Sequence, residues 1–466
     1  MEDLTGFNGQ YYEGECRFEG KKEGSVFGYP MYLPEGVDTS KPLALVLSFD
    51  GFNKPLAHAM ETVIAEGAMP PAVFLGIRPA CWLPALPEGW ARNMRMDNFD
   101  VFDSVYPDIL VDGLIPYAAA NHGITIADDP DLRLAAGSSS GAIAAWNLAW
   151  FRNDAFHRAY MSSPSLLSMG KGRDYPDLMR KCETKPIRVH LEYSENEPDE
   201  YFGSSYAAAI DCERALIYAG YEPNVVYFPG EGHGAHFWDQ KPLEEALRYL
   251  WKGWQTEKVT VKRRSNRFDR VFDPACVWTA SDKVVPSHAH KAARCGQTGV
   301  TYVAEGCEVY AEKEGDRRRV ATFDCEVTAL AVSCDDCRLY VSGKSFPGVY
   351  ALNICPDGSL SGRYLHGAIH TYPDFAYSGA TDLIVDAHDR VYAATEMGVQ
   401  CIRSFGLIDV IVPMPRNAVP QALAITETEE GNYLAVSTAD GVYERRLSDA
   451  LKDIPHGHPA PREYYD

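Results

Sequence analysis

Short apolar runs alternate with longer amphipathic segments along the first half of the chain. Six runs of strand length are separated by patterns of helical period, which predicts a mostly parallel sheet covered by helices on both faces. The predicted strands are residues 43–48, 72–76, 132–136, 158–161, 187–193 and 224–228. The predicted helices are residues 57–66, 106–120, 142–151, 205–219 and 242–254. We therefore expect an α/β domain over residues 1–255.

The second half has a different pattern, with short strands and polar turns that recur along the chain. Similar strand-like segments occupy residues 300–304, 338–342, 390–394 and 432–436, and later strands beginning with Gly-Val follow at 348–352, 398–402 and 441–445. A unit of roughly 40 to 50 residues is typical of a propeller blade. The pattern predicts a small β-propeller-like domain of about four or five blades over residues 271–466.

The segment between the two patterns, residues 256–270, is basic. Its cationic residues are Lys258, Lys262, Arg263, Arg264, Arg267 and Arg270. A solvated linker between domains accounts for this composition.

The whole chain is acidic. Its 466 residues carry 44 Lys and Arg against 65 Asp and Glu, a formal net charge of −21. This charge argues against nucleic acid and anionic membranes as partners, because both require a basic face. The N-terminus lacks a basic start and an apolar segment of signal-peptide type, and twelve scattered cysteines fit a reducing compartment, so we expect a cytoplasmic protein. The oligomeric state stays open.

The pentapeptide Gly137-Ser138-Ser139-Ser140-Gly141 lies directly between a predicted strand and a predicted helix. In this context a G-x-S-x-G sequence forms a nucleophile elbow, because the sharp turn needs small neighbours and raises the serine above the sheet edge. Ser139 is therefore the candidate nucleophile.

A serine nucleophile needs a base and an acid that orients the base, and both are expected after later strands. The base we predict is His233, which lies in a Gly-flanked loop, with His236 as the competitor. An acidic loop follows the strand at 187–193. Within it Glu197 and Asp199 compete as the acid, and spacing does not exclude Glu195 or Glu200.

The tetrahedral oxyanion needs two N–H donors. Ser140 would supply one, and the loop after the first predicted strand, at Gly51 or Phe52, would supply the other. Aromatic side chains near the predicted mouth, Trp82, Trp90 and Trp238, are candidates for the substrate pocket. No cofactor is expected for this chemistry.

These residues give the chain a family resemblance. Residues of about 25 to 254 resemble the enterochelin-esterase and esterase-D-like branch of the α/β-hydrolases, which includes feruloyl and acetyl-xylan esterases. The matching stretches are Phe49-Asp-Gly51, Ala135 to Gly141, Lys185 to Val189 and Gly232-His233 with Trp238. The resemblance implies that Ser139 and His233 act together and favours Glu197, which precedes a proline, as the acid.

Two departures from those relatives concern the pocket. The elbow continues Gly141-Ala142, where relatives often have Gly-Gly. In the stretch Arg92-Asn-Met-Arg95, the basic residue Arg95 stands near the position where relatives tend to have an acidic residue. Both arginines are therefore pocket candidates.

The second half resembles gluconolactonase and regucalcin-type propellers over one blade. The stretch Gly379-Ala-Thr-Asp382-Leu-Ile-Val-Asp386 carries the resemblance, and Asp382 matches a position where that family places a metal ligand. The remaining ligands have no clear match, and the segment is too short for six blades. We therefore assign no metal, with Asp382 as a weak candidate, and likewise predict a turn rather than a zinc site at Cys334-Asp-Asp-Cys337.

The expected function is a serine esterase acting on a small-molecule or oligosaccharide ester, with a feruloyl or acetyl carbohydrate ester as the first choice. One alternative is a siderophore trilactone esterase. The other is a lactonase or sugar-binding propeller in which the hydrolase domain is accessory.

Overall fold

A computed structural model describes residues 4–18, 25–82, 92–167, 172–261, 267–282, 289–372, 379–415 and 418–448. The chain divides into two compact units. The first consists of Met1–Arg180 and Thr184–Arg264, and the second of Lys181–Glu183 and Ser265–Asp466.

The first unit is built on a ten-stranded sheet. Its strands are β1 (Gln10–Phe18), β2 (Ser25–Leu33), β3 (Ala44–Phe49), β4 (Ala72–Ile77), β5 (Cys81–Trp82), β6 (Arg92–Asn93), β7 (Arg133–Ser138), β8 (Arg158–Ser162), β9 (Arg188–Asn196) and β12 (Asn224–Gly232). They lie in the order β12-β9-β8-β7-β3-β4-β2-β5-β6, with β1 paired to β2. The pairs from β12 through β4 are parallel. A separate hairpin consists of β10 (Asp199–Glu200) and β11 (Gly203–Ser204).

Helices cover this sheet, as the sequence predicts. They are α1 (Lys54–Ala65), α2 (Arg95–Phe99), α3 (Val105–Asp108), α4 (Ile115–Asn121), α5 (Ser140–Phe151), α6 (Tyr175–Lys181), α7 (Ser205–Ala219) and α8 (Gln240–Leu250). Strands β3, β4 and β8 are buried along their whole length, because parallel strands between helices lose water on both faces. The apolar stripes of α1 and α8 belong to one core cluster with Val46 and Phe74 of the sheet. The predicted α/β fold is confirmed.

The helix predicted at residues 106–120 is interrupted. A π-helical turn, Ile109–Leu114, separates α3 from α4. Pro116 lies just beyond it and has no amide hydrogen to donate to the preceding turn. A wider turn before the proline accommodates the missing hydrogen bond, as π-bulges do.

The second unit begins with α9 (Arg267–Val271) and contains four antiparallel sheets, each of four strands, within the described residues. The first three are formed by consecutive strands. They are β14 (Ala292–Arg294), β15 (Thr301–Glu305), β16 (Glu308–Lys313) and β17 (Asp316–Thr322); β18 (Val327–Val332), β19 (Arg338–Gly343), β20 (Gly348–Ile354) and β21 (Leu360–Ala368); and β22 (Asp382–Val385), β23 (Val391–Thr395), β24 (Gly398–Ile402) and β25 (Ile408–Val412).

The fourth sheet joins the two ends of this unit. It contains β26 (Ala422–Thr428), β27 (Gly431–Thr438), β28 (Gly441–Arg446) and β13 (Thr279–Ser281), with β13 paired to β28. The predicted recurring segments are the second and third strands of successive sheets, and the predicted turn at Cys334–Cys337 connects β18 to β19. This arrangement confirms a propeller-like β domain.

Candidate active site

The Ser139 turn has the geometry of a nucleophile elbow. Ser139 has φ 59° and ψ −124° at the junction of β7 and α5. A Cβ atom on Gly137 would lie 2.1 Å from the Gly141 carbonyl oxygen, and one on Gly141 would lie 3.1 Å from the Asp50 carboxylate. Glycine is therefore required at Gly137 and favoured at Gly141, which is the physical reason for the G-x-S-x-G pattern here.

Backbone strain is concentrated at the carboxyl ends of neighbouring parallel strands. The non-glycine residues of the first unit with positive φ, among those that the structure describes, are Asp50 (68°), Ser139 (59°) and Ser163 (43°). Each directly follows one of three adjacent parallel strands, β3, β7 and β8. Such strain persists where surrounding contacts impose it, and it marks functional sites more often than other places.

Glu197 and His233 form a hydrogen-bonded pair at the same edge. His233 Nδ1 lies 2.5 Å from Glu197 Oε2. The Glu197 side chain is 1% exposed and the His233 side chain is 30% exposed. Glu197 Oε1 accepts hydrogen bonds from the Ser163 hydroxyl at 2.5 Å and from the Ser194 N–H at 3.0 Å.

These hydrogen bonds determine whether the Glu197 carboxyl group is ionised. Burial alone would raise the pKa of Glu197, but the hydrogen bonds from His233, Ser163 and Ser194 together hold it below its usual value. An ionised carboxylate at Nδ1 selects the tautomer that carries its proton there, which leaves Nε2 of His233 as the basic atom.

The competing residues are placed differently. Asp199 is exposed on the hairpin strand β10. Glu195 accepts a hydrogen bond from the Gly230 N–H. His236 stacks on Phe228 with ring centroids 3.4 Å apart, and its Nε2 has no hydrogen-bond partner within the described residues. The structure brings Glu197, and not these acids, to His233.

The sequence interpretation missed two serines, Ser165 and Ser163, which contact Ser139 and Glu197 respectively. Ser139 Oγ is 2.8 Å from Ser165 Oγ, and the structure shows no hydrogen bond between Ser139 and His233. Ser163 Oγ bonds Glu197 and also accepts the Gly234 N–H at 2.9 Å. Both serines follow β8, whose carboxyl end neighbours that of β7, so their position after a predicted parallel strand was the available signal.

Of the amides predicted as oxyanion donors, the Gly51 N–H is already used in the protein. Ser140 begins α5, so its N–H has no carbonyl partner within the helix. The Gly51 N–H donates to the Ile77 carbonyl at 3.0 Å. The Phe52 N–H is the remaining candidate donor of that loop.

Asn53 joins the Phe52 loop to the histidine loop. Its Oδ1 accepts the Leu56 N–H at 2.9 Å and caps α1, while its Nδ2 donates to the Phe237 carbonyl at 2.8 Å. Phe237 belongs to the 3-10 helix Ala235–Trp238, which directly follows the Gly-rich turn at His233. One buried side chain therefore connects two loops of the site.

Among the predicted pocket residues, the structure describes the side chains of Arg95 and Trp238. The Arg95 guanidinium makes a two-pronged ion pair with Asp50, at 2.6 and 2.7 Å. Trp238 is 57% exposed beside the histidine loop. Trp82 and Arg92 pair across β5 and β6, but their side chains, and all of Trp90, lie outside the described residues.

Asp100 is a buried carboxylate near the elbow. It is 2% exposed, so its carboxylate has lost most of its hydration. Burial raises the pKa of Asp100 to about 6, against the Ser140 hydroxyl and the Arg95 guanidinium, which lower it, while Asp50 adds to the rise. The charged form of Asp100 therefore destabilises the folded state.

We expect stability to fall as the pH rises from about 4 to about 6, because the folded chain holds the Asp100 proton more tightly than the unfolded chain. The contribution is on the order of 3 kcal/mol above pH 6. Asp100→Asn removes this titration and should gain stability relative to the wild type across that range. Urea unfolding at matched pH, followed by tryptophan fluorescence, measures the difference, and a difference independent of pH would contradict the assignment.

Asp382, the weak metal candidate, is occupied by protein groups. It is fully buried and accepts the N–H of His290 at 2.7 Å and of Leu423 at 2.8 Å. Nδ1 of His290 lies 3.0 Å from both carboxylate oxygens. Among the described residues no group of three or more His, Cys, Asp or Glu side chains is arranged to hold a metal ion. Asp382 thus links β22 to β26 and to the segment before β14.

No helix of the described ranges has the length and apolar character of a membrane span.

Two of the comparisons with known proteins found nothing. Neither a protein-family model nor a curated protein matches the sequence.

The chain is structurally similar to esterases over about half its length. A ferulic acid esterase matches at 17% identity over 53% of this chain and 99% of its own, with a TM-score of 0.40. The enterobactin esterase from Shigella flexneri matches at 18% identity over 52% of this chain, with a TM-score of 0.39, and the match spans 59% of that esterase. A gluconolactonase from Xanthomonas campestris matches at 18% identity over 33% of this chain and 55% of its own, with a TM-score of 0.28.

Proposed function

We propose that the first unit is a serine esterase that cleaves carboxylic esters through an acyl-enzyme on Ser139. The observation that carries this proposal is the strained Ser139 turn at the same sheet edge as the hydrogen-bonded pair of Glu197 and His233. A nucleophile, a base and an orienting acid in the chain order Ser, acid, His are the groups that acyl transfer requires.

The chemistry follows from these positions. Ser139 Oγ attacks the ester carbonyl carbon while His233 Nε2 takes the hydroxyl proton, and Glu197 stabilises the imidazolium that forms. The N–H groups of Ser140 and Phe52 stabilise the oxyanion. When the tetrahedral intermediate collapses, His233 returns the proton to the leaving alcohol, and water then hydrolyses the acyl-enzyme by the same steps. Before attack, the Ser139 hydroxyl must turn from Ser165 towards His233, an adjustment that substrate binding commonly completes.

The substrate that we propose is a small or oligosaccharide ester, with a feruloyl or acetyl group on a carbohydrate. The exposed Trp238 ring beside the histidine loop supports this choice, because an exposed aromatic face stacks on sugar rings and on aromatic acyl groups. A metal-dependent lactone site at Asp382 is not proposed, since protein groups already occupy that carboxylate.

A fluorophosphonate probe tests the nucleophile without knowledge of the natural ester. We expect the probe to attach covalently to Ser139, as peptide mass spectrometry would show, and His233→Ala to slow the labelling strongly because the base is lost. Labelling of a different serine, or none, would contradict the proposal. Comparing kcat/KM for feruloylated sugars, acetylated sugars and a siderophore trilactone then decides among the substrate classes.

A further inference from the structure

Ser163 connects the acid to the loop that carries the base. Its hydroxyl donates to Glu197 Oε1 at 2.5 Å and accepts the N–H of Gly234, the residue after His233, at 2.9 Å. Glu197 Oε2 in turn bonds His233 Nδ1 at 2.5 Å. Ser163, Glu197 and the His233-Gly234 segment therefore form a closed ring of hydrogen bonds.

The backbone at Ser163 is held in an unfavourable conformation. Its φ is 43°, a region that L side chains other than Asn and Asp rarely adopt. Its N–H donates to the Glu192 carbonyl at 2.8 Å on the neighbouring strand β9. A glycine would meet the same backbone requirement without the strain, so the conformation does not explain why a serine with its hydroxyl stands there.

Both partners of the Ser163 hydroxyl depend on it. Gly234 is buried, so its N–H would lose its acceptor in a place where an unpaired donor is costly. Glu197 Oε1 would keep only the Ser194 N–H, and the carboxylate would be freer to rotate. With Ser163 present, Oε1 is engaged twice, which directs Oε2 to the imidazole.

We propose that Ser163 is a positioning residue that holds the Glu197 carboxylate and the His233 loop at a fixed separation. It acts through Glu197 and His233 and does not itself contact the reacting atoms. The inference rests on the proposed esterase function, because a fixed imidazole matters only if His233 acts as a base. Positioning of this kind reduces the motion that must be removed before the transition state forms.

Two variants separate the hydroxyl from the backbone. Ser163→Ala removes the hydroxyl and keeps the strain, whereas Ser163→Gly removes the hydroxyl and relieves the strain. We expect both to lower kcat for 4-nitrophenyl acetate by about 10- to 100-fold, the range typical of groups that orient a functional side chain from behind. KM should change by less than about threefold, because the hydroxyl stabilises no substrate group. Ser163→Gly should unfold at a temperature no lower than Ser163→Ala.

A spectroscopic measurement reports the same interaction without turnover. The proton between His233 and Glu197 is expected to give a downfield imidazole signal in the proton NMR spectrum of the wild type, and this signal should shift or broaden in Ser163→Gly. The matched control is Ser162→Ala, which removes the adjacent buried hydroxyl, one without a hydrogen-bond partner in the described residues. That variant should keep both the signal and kcat.

The outcomes distinguish this inference from the esterase proposal. If the wild type shows no hydrolysis that depends on Ser139, the esterase proposal fails. If hydrolysis depends on Ser139 but a folded Ser163→Gly keeps wild-type kcat and the downfield signal, the positioning role is overturned. A loss in kcat for Ser163→Ala that Ser163→Gly fully restores would also overturn it, because a variant without the hydroxyl would then turn over at the wild-type rate.

Discussion

Replacing Ser139 by alanine is expected to reduce ester hydrolysis by at least about 10³-fold while the protein remains folded. The alanine variant has no oxygen to attack the carbonyl, so no acyl-enzyme would form, although the proposed oxyanion donors, the N–H groups of Ser140 and Phe52, would remain. Initial rates with 4-nitrophenyl acetate, at protein concentrations high enough to detect slow turnover, measure the loss. Thermal unfolding of the same samples shows whether the turn tolerates the change.

The neighbouring serine supplies the matched control. Ser138 is in the same pentapeptide, but its hydroxyl is directed at Gly234, where an added Cβ would be 2.6 Å from it. Ser138→Ala should therefore cost much less activity than Ser139→Ala. If hydrolysis persisted in Ser139→Ala and was abolished by a chelator, the activity would have to be assigned to the second unit instead.

Local signals explain where the fold could be predicted accurately. The predicted helix at 205–219 coincides with α7 because Ser204 caps its first turn and Gly220, with φ 95°, ends it. The strand pair β1 and β2 was not predicted. Strand β1 has a single buried residue, Cys16, so it shows little of the apolar alternation that marks a half-buried strand.

In the candidate site, too, local sequence signals predicted some residues, and contacts between distant parts of the chain determined the others. Ser139, Glu197 and His233 could be proposed because each residue type stands after a predicted strand in the required chain order. Ser163 and Ser165 belong to a Ser-Pro-Ser loop that reads as an ordinary turn. Their contacts with Ser139 and Glu197 depend on β8 lying between β7 and β9, a strand order that apolar periodicity does not determine.

Hydrogen bonding also limited the prediction of the oxyanion donors. Gly51 and Phe52 are equivalent by position in the sequence. Only the fold shows that the Gly51 N–H is used by the Ile77 carbonyl. Similarly, Arg95 is a pocket candidate by sequence, but its guanidinium pairs with Asp50, 45 residues earlier in the chain.

Replacing Glu197 by glutamine is expected to lower kcat by about 10²- to 10⁴-fold with little change in KM. The carboxylate accepts three donors, which are the Ser163 hydroxyl, the Ser194 N–H and His233 Nδ1. A glutamine amide has only one acceptor oxygen. If that oxygen stays with Ser163 and Ser194, the NH₂ group faces His233 and favours the tautomer whose Nδ1 lacks a proton. Nε2 then carries the proton and cannot accept the one from Ser139.

The opposite orientation of the glutamine is also unfavourable. With its oxygen towards His233, its NH₂ group meets the Ser194 N–H, so two donors face each other in a buried place. Asp199→Asn is the matched control, because Asp199 is an exposed acid two residues away on β10, and it should keep wild-type kcat. If Asp199→Asn lost activity and Glu197→Gln kept it, the acid would be assigned wrongly. Loss in Glu197→Gln alone, with unchanged KM, would identify the buried carboxylate as the group that sets the tautomer of His233.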